Sequence, residues 1–247
     1  MPEAPETLRR AASVADAEAR EATGFLRRHG WRLGLLFAFL LLPLWGFAEL
    51  ADEVREAEPF PFDEPILRFA QASARQGLDA LFLVASDLGY AWGVVPFDVV
   101  LVLALAWKRR FRESVFAAAA LGGSALLNLA AKQFFARQRP TLWESISPED
   151  TFSFPSGHAM GSMTLAAVLV LLVWRTRWRW PVLVAMAVFV PMVGLSRVYL
   201  GVHYPSDILA GWAAALAWAV GCYGLAFRGR LRPWQRRLAA GDPGLGQ

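Results

Sequence analysis

One cysteine, three histidines and four tyrosines are all that the 247 residues contain of those types. The lone cysteine, Cys222, lies inside an apolar run, so no disulfide framework exists within the chain and its reading is a buried packing residue. With so few histidines and no second thiol, the sequence holds no His/Asp/Glu cluster of metal-ligand type, and neither metal nor cofactor is expected. There is no internal repeat and no low-complexity tract. The first residues lack the basic-then-apolar layout of a cleaved signal peptide, because Glu3, Glu6, Asp16, Glu18 and Glu21 stand among the arginines. A retained transmembrane segment is therefore expected to insert the chain.

What is abundant is apolar surface. Hydrophobic residues make up 56% of the chain, with 11 tryptophans, and charged residues only 19%, which places it in the membrane class. The net charge of +4 raises the question of nucleic acid, but the basic residues fall in short clusters between apolar runs, so no nucleic-acid partner is expected.

Six stretches are apolar over a length suited to a bilayer core of about 30 Å: Leu33–Ala48, Leu81–Trp107, Ser114–Ala131, Ala159–Trp174, Trp180–Leu195 and Ile208–Phe227. They predict an all-α fold, a six-transmembrane-helix bundle, occupying residues 33–227. The second stretch contains Asp87, Pro96 and Asp98. A charge near the bilayer centre costs at least ~2.5–3.5 kcal/mol, so Asp98 is expected to face the bundle, in an interhelical hydrogen bond or along a lipid-entry path.

Orientation follows from Lys and Arg. Residues 1–32, Lys108–Arg112, Arg175–Arg179 and Arg228–Arg237 carry 18 of the 25, which makes that side cytoplasmic and puts both termini there. Residues 1–32 read as a cytoplasmic helix (Thr7–Arg28) leading into the first span, and residues 228–247 as a disordered cytoplasmic tail. On the outer side, an acidic loop precedes Pro65–Arg75, whose Ile66, Phe69, Ala70 and Ala74 recur at helical spacing. That predicts a short amphipathic helix on the outer membrane surface.

Three segments at outer ends of spans concentrate the chemistry-bearing groups: Lys132 to Pro140, Pro155 to His158, and Ser196 to Asp207. Pro-Ser-Gly-His opens a span, putting Ser156 near the N-cap and Gly157 among unpaired backbone N–H groups, an anion site or an ordinary cap. Gly157 and Gly161 also form a small-xxx-small packing pair. His203 and Asp207 stand four apart at the entry to the last span, either on one helical face or with His203 just before the helix. In both cases the carboxylate can fix the imidazole tautomer and leave the other nitrogen free to attack. Lys132, Arg139 and Arg197 are cations of the kind that meet charge on phosphoryl oxygens; headgroup snorkelling is their alternative reading.

Lys132, six residues, Arg139-Pro140; Pro155-Ser156-Gly157-His158; and Ser196-Arg197, five residues, His203, three residues, Asp207 together resemble the three-part signature of the type 2 phosphatidic acid phosphatase superfamily. The resemblance implies a metal-independent lipid phosphatase that works through a phosphohistidine. In that scheme His203 is the nucleophile, Asp207 orients it and His158 protonates the leaving oxygen. Lys132, Arg139, Ser156, Gly157 and Arg197 hold the phosphoryl oxygens. Its partners are then a membrane lipid phosphate and the bilayer, with no obligate protein partner evident. Undecaprenyl diphosphate, phosphatidylglycerophosphate and phosphatidic acid are the candidate substrates, and the Thr141–Phe154 loop is expected to contact the headgroup. Three alternatives share the constellation: a lipid-to-lipid phosphotransferase, a vanadate-dependent haloperoxidase, and a carrier that binds without turnover. Six spans argue against the second, and the two histidines with Asp207 against the third, since binding alone needs neither nucleophile nor acid.

Overall fold

The computed structural model describes residues 30–31 and 34–227, and the expected N-terminal helix and C-terminal tail lie outside them. Every regular element among the described residues is helical. Helix α1 covers Gly34–Arg55 and includes a π-helical stretch at Phe37–Leu41. It is followed by α2 (Asp63–Ala72), α3 (Gln76–Leu88), α4 (Val94–Trp107), α5 (Phe111–Phe135), α6 (Gly157–Val173), α7 (Arg179–Tyr199) and α8 (Pro205–Ala226).

Helices α1, α5, α7 and α8 are long and apolar enough to cross a membrane, whereas α4 and α6 are apolar but shorter. The chain is a membrane protein: Phe37, Trp45, Val100, Leu103, Trp107, Leu126, Leu129 and Leu225, among others, stand exposed on helix surfaces. In water such a surface would drive aggregation; against acyl chains it is the expected solvation.

The expected single span Leu81–Trp107 is two helices. Helix α3 ends at Leu88, and the chain turns back so tightly that a Cβ on Gly93 would lie 2.0 Å from the Leu88 carbonyl oxygen. Only a residue without a side chain fits there. The first expected span is also longer than its apolar run, since α1 continues through Glu49, Asp52 and Glu53 to Arg55. Helix α2 overlaps the Pro65–Arg75 stretch but starts two residues earlier and ends at Ala72; Leu67 is its fully buried apolar residue, while Ile66 and Phe69 are exposed.

Helix α6 is central, packing against α4, α5, α7 and α8. Its small residues allow that approach, and polar contacts tie the bundle where they occur. Ser124 of α5 and Thr164 of α6 hydrogen-bond at 2.8 Å, and Trp218 of α8 donates to the Ala120 carbonyl of α5 at 3.0 Å. Such pairs contribute about 0.6 kcal/mol on average inside a membrane, so apolar packing carries most of the assembly. Asp98 of α4 does not have the expected interhelical bond: its Oδ1 is buried without a hydrogen-bond partner among the described residues. It lines a cavity of about 90 Å³ together with Tyr90, Ser124, Asn128, Gly157 and Thr164.

Candidate active site

One end of the bundle gathers the ends of α5, α6, α7 and α8 under the irregular segment that joins α5 to α6. Helix α5 stops because Ala136 adopts a left-handed conformation (φ 46°) and its N–H returns to the Lys132 carbonyl. Lys132 is thus left in the last helical turn, and Arg137 and Arg139 are carried across the bundle mouth. Lys132 Nζ donates to Thr151 Oγ1 at 2.9 Å. The segment is pinned at several points. Trp143 packs on Gly201, whose φ of +71° and lack of a Cβ are both required, since a Cβ would fall 2.5 Å from the indole. Ser145 Oγ donates to the Leu200 carbonyl at 2.5 Å, and Arg139 Nε to the Thr151 carbonyl at 2.6 Å.

The eight residues singled out in the sequence occupy one region. Helix α8 starts at Pro205, so His203 sits just before it and Asp207 in its first turn, where Oδ2 accepts the Tyr204 N–H at 2.9 Å. The His203 ring is completely buried. Its Nδ1 faces Asp207 Oδ2 at 3.4 Å and Ser153 Oγ at 3.4 Å, while Arg139 Nη1 lies 3.1 Å from Nε2. A guanidinium can only donate, so Nε2 carries the lone pair and Nδ1 the proton. Burial first, then the Arg139 and Arg197 guanidiniums, hold His203 well below its ordinary value, and the ring is neutral.

Ser156 caps α6, its buried Oγ accepting the Ala159 N–H at 3.4 Å, and its own N–H donates to the Asp207 carbonyl at 3.1 Å. The ordinary-cap role is therefore present, with Gly157 beginning the helix beside it. His158 follows, its ring tilted 36° against that of Tyr90 with centroids 5.0 Å apart. Arg197, 1% exposed, donates through Nη1 to Ser86 Oγ of α3.

The sequence did not single out the role of Glu149. Its carboxylate accepts from Arg139 Nη2 at 2.5 Å and from Arg197 Nη2, with Oε1 3.7 Å from His158 Nδ1 and Oε2 3.9 Å from His203 Nε2. Burial alone would raise this carboxyl, but the charges of Arg197, Arg139 and Lys132 outweigh it and hold it below the usual range. Burial lowers Arg139 as well, opposed chiefly by Glu149. Two histidines and a carboxylate could suggest a metal, but two guanidiniums already hold the carboxylate's oxygens. Among the described residues no group of His, Cys, Asp and Glu has metal-ligand form. An oxyanion with oxygens bridging two imidazoles and two arginines is what this geometry accommodates. Ser153 and Arg137 bond Asp207, and Arg137 in turn bonds Asp63 and Ser206; the sequence assigned none of these four a part in the site.

An all-helical membrane protein with such an oxyanion pocket at one end of its bundle belongs to a narrow class. The chain is a member of the PAP2 superfamily, whose profile matches residues 113–230. It is 30% identical over 152 residues to undecaprenyl-diphosphatase of Sulfolobus acidocaldarius, covering 60% of this chain and 68% of that one. It is 28% identical over 159 residues to phosphatidylglycerophosphatase B of Bacillus subtilis, covering 62% and 78%. The crystal structure of a transmembrane PAP2-type phosphatidylglycerolphosphate phosphatase from Bacillus subtilis superposes with a TM-score of 0.67 at 25% identity, covering 77% of this chain and 96% of that one.

Proposed function

We propose that the chain is an integral-membrane lipid phosphatase that hydrolyses a terminal phosphate of a membrane lipid through a phosphohistidine. The observation that carries this reading is the Glu149 carboxylate, an oxyanion held by Arg139 and Arg197 between His203 Nε2 and His158. A phosphoryl group entering the pocket displaces it and takes its arginines. His203 Nε2, already carrying a lone pair, attacks phosphorus; the N–P bond forms as the bond to the lipid oxygen breaks, and His158, entering the step as the imidazolium beside the bound phosphoryl anion, gives that oxygen a proton. Asp207 holds the Nδ1 proton and stabilises the positive charge that develops on the ring. Water then attacks the phosphohistidine, His158 accepts its proton, and phosphate leaves with His203 restored. Lys132, Arg139 and Arg197, with the helix start at Ser156 and Gly157, are the cationic and N–H groups that meet the spreading charge.

Support for the substrate class comes from the relatives, which act on phosphatidylglycerophosphate and undecaprenyl diphosphate by name. Undecaprenyl diphosphate, phosphatidylglycerophosphate and phosphatidic acid are the substrates to test. In the proposed topology, α1, α4, α5, α6, α7 and α8 all cross the bilayer of the cytoplasmic membrane. The ends bearing Lys108–Arg112 and Arg175–Arg179 are cytoplasmic, residues 1–32 and 228–247 share that side, and α2 lies on the outer surface. The pocket then opens extracytoplasmically.

His203→Ala is expected to abolish phosphate release from all three lipids while eluting from a sizing column as the unaltered chain does. Retained turnover contradicts the mechanism. Release of free phosphate, against appearance of a phosphorylated lipid acceptor, separates hydrolysis from phosphotransfer.

A further inference from the structure

Asp207 is completely buried, and an enclosed carboxylate needs partners for both oxygens. Oδ2 accepts the Tyr204 N–H at 2.9 Å and Ser153 Oγ, and faces His203 Nδ1. Oδ1 is taken by Arg137, whose Nη1 donates to it at 2.5 Å and to Ser206 Oγ at 2.8 Å. The second guanidinium nitrogen of Arg137 donates to Asp63 Oδ2 at 3.0 Å. Asp63 closes the ring by accepting the Ser206 N–H at 2.9 Å and Ser206 Oγ at 2.5 Å. The Arg137 guanidinium also lies over the Tyr204 ring, 4.1 Å from its centroid.

These partners come from three separate parts of the chain. Arg137 stands on the segment leaving α5, Asp207 and Ser206 in the first turn of α8, and Asp63 in the first turn of α2. Helix α2 is itself held by fully buried Leu67, which clusters with Ile208 and Val198. Arg137 contributes none of the hydrogen bonds to Glu149, whose position marks the phosphoryl group; Arg139, two residues on, does. A cation facing the carboxylate that supports the nucleophile, away from the anion pocket, acts on geometry and charge at the dyad.

We propose that Arg137 and Asp63 are positioning residues for the nucleophile. Arg137 anchors Oδ1 so that Oδ2 stays turned to His203 Nδ1, and Asp63 fixes the guanidinium and balances its charge. This inference rests on the phosphohistidine reading above. Without Arg137 the carboxylate is free to turn toward other donors, and His203 loses the acceptor that fixes its tautomer. Substrate affinity, set by Lys132, Arg139 and Arg197, is left nearly intact.

The test uses the purified full chain in detergent with dioctanoyl phosphatidic acid as the probe substrate. Arg137→Ala is expected to lower kcat about a hundredfold while KM stays within about threefold. Asp63→Asn is expected to lower kcat about tenfold with the same small change in KM. Added guanidinium ion should restore part of the Arg137→Ala rate, and Arg137→Lys, which keeps the charge but not the fork, should lie between Ala and the unaltered chain. In an Asp207→Asn background, Arg137→Ala should cost less than about threefold more, because both act through one carboxylate.

A rise in KM at unchanged kcat would make Arg137 a substrate-binding cation and overturn the proposal. So would a full additional loss in the Asp207→Asn background, or no guanidinium rescue in protein that elutes normally. Turnover retained by His203→Ala would remove the reading beneath it. An inactive His203→Ala beside a fully active Arg137→Ala overturns this inference alone.

Discussion

A carboxylate between two guanidiniums and two imidazoles is an internal ligand, and any external anion must displace it. Its effect on affinity is that of a tethered competitor, weakening every oxyanion by the same factor. Glu149→Gln keeps the shape and removes the charge, so inorganic phosphate should inhibit the variant at about tenfold lower concentration, equivalent to ~1.4 kcal/mol. An unchanged inhibition constant would mean that the carboxylate does not compete for the site. His203 gives a second expectation at this scale. The unfolded chain binds a proton at this histidine near pH 6.5, whereas the folded chain, with the imidazole buried beside Arg139 and Arg197, does not. Stability is thus unaffected above that pH and falls as pH drops below about 6.5. His203→Gln should flatten the decline in apparent Tm between about pH 6.5 and pH 5 in detergent relative to the unaltered chain. Parallel curves would mean that the folded ring protonates freely.

Elements place these residues through their ends. Asp207 is aimed by the start of α8, Lys132 by the stop of α5, and His158 by the capped start of α6, so the chemistry sits where helices begin and end. The segment joining α5 to α6 is equally constrained, with its Trp143 packed on Gly201 of the turn between α7 and α8. Gly201→Ala puts a Cβ into a left-handed conformation, at a cost of ~1–2 kcal/mol before the collision with the indole is added. It should lower Tm in detergent and loosen the segment carrying Glu149 and Thr151, visible as faster proteolysis between residues 141 and 153. Equal Tm and equal proteolysis would show that Trp143 does not hold the segment. The sequence left open whether His203 stood on the last helix or just before it, but most helices were legible as apolar runs. The break between α3 and α4 was not, because a glycine within an apolar run is compatible with a continuous span. The need for Gly93 appears only when the chain is seen folding back on the Leu88 carbonyl.

For the whole molecule, the distribution of Lys and Arg predicts which face of the bundle carries the pocket. A cysteine at Ser147 in a Cys222→Ser background should react with an impermeant thiol reagent in intact cells if that face is extracytoplasmic; labelling only after lysis reverses the orientation. The sequence by itself determined membrane residence, since hydropathy over a bilayer-length window is a one-dimensional property. It also determined the three motif segments, because each is local: Pro155–His158 begins one helix, and His203 and Asp207 are four residues apart. Their convergence, and their partners, were decided by tertiary structure alone. Ser153 reaches Asp207 across 54 positions, Arg137 reaches it across 70, and Asp63 reaches Ser206 across 143. No spacing rule spans such distances. Only the packing of α2, α5 and α8 at one end of the bundle places those side chains around a single buried carboxylate, where the loss of water makes each of them a required partner.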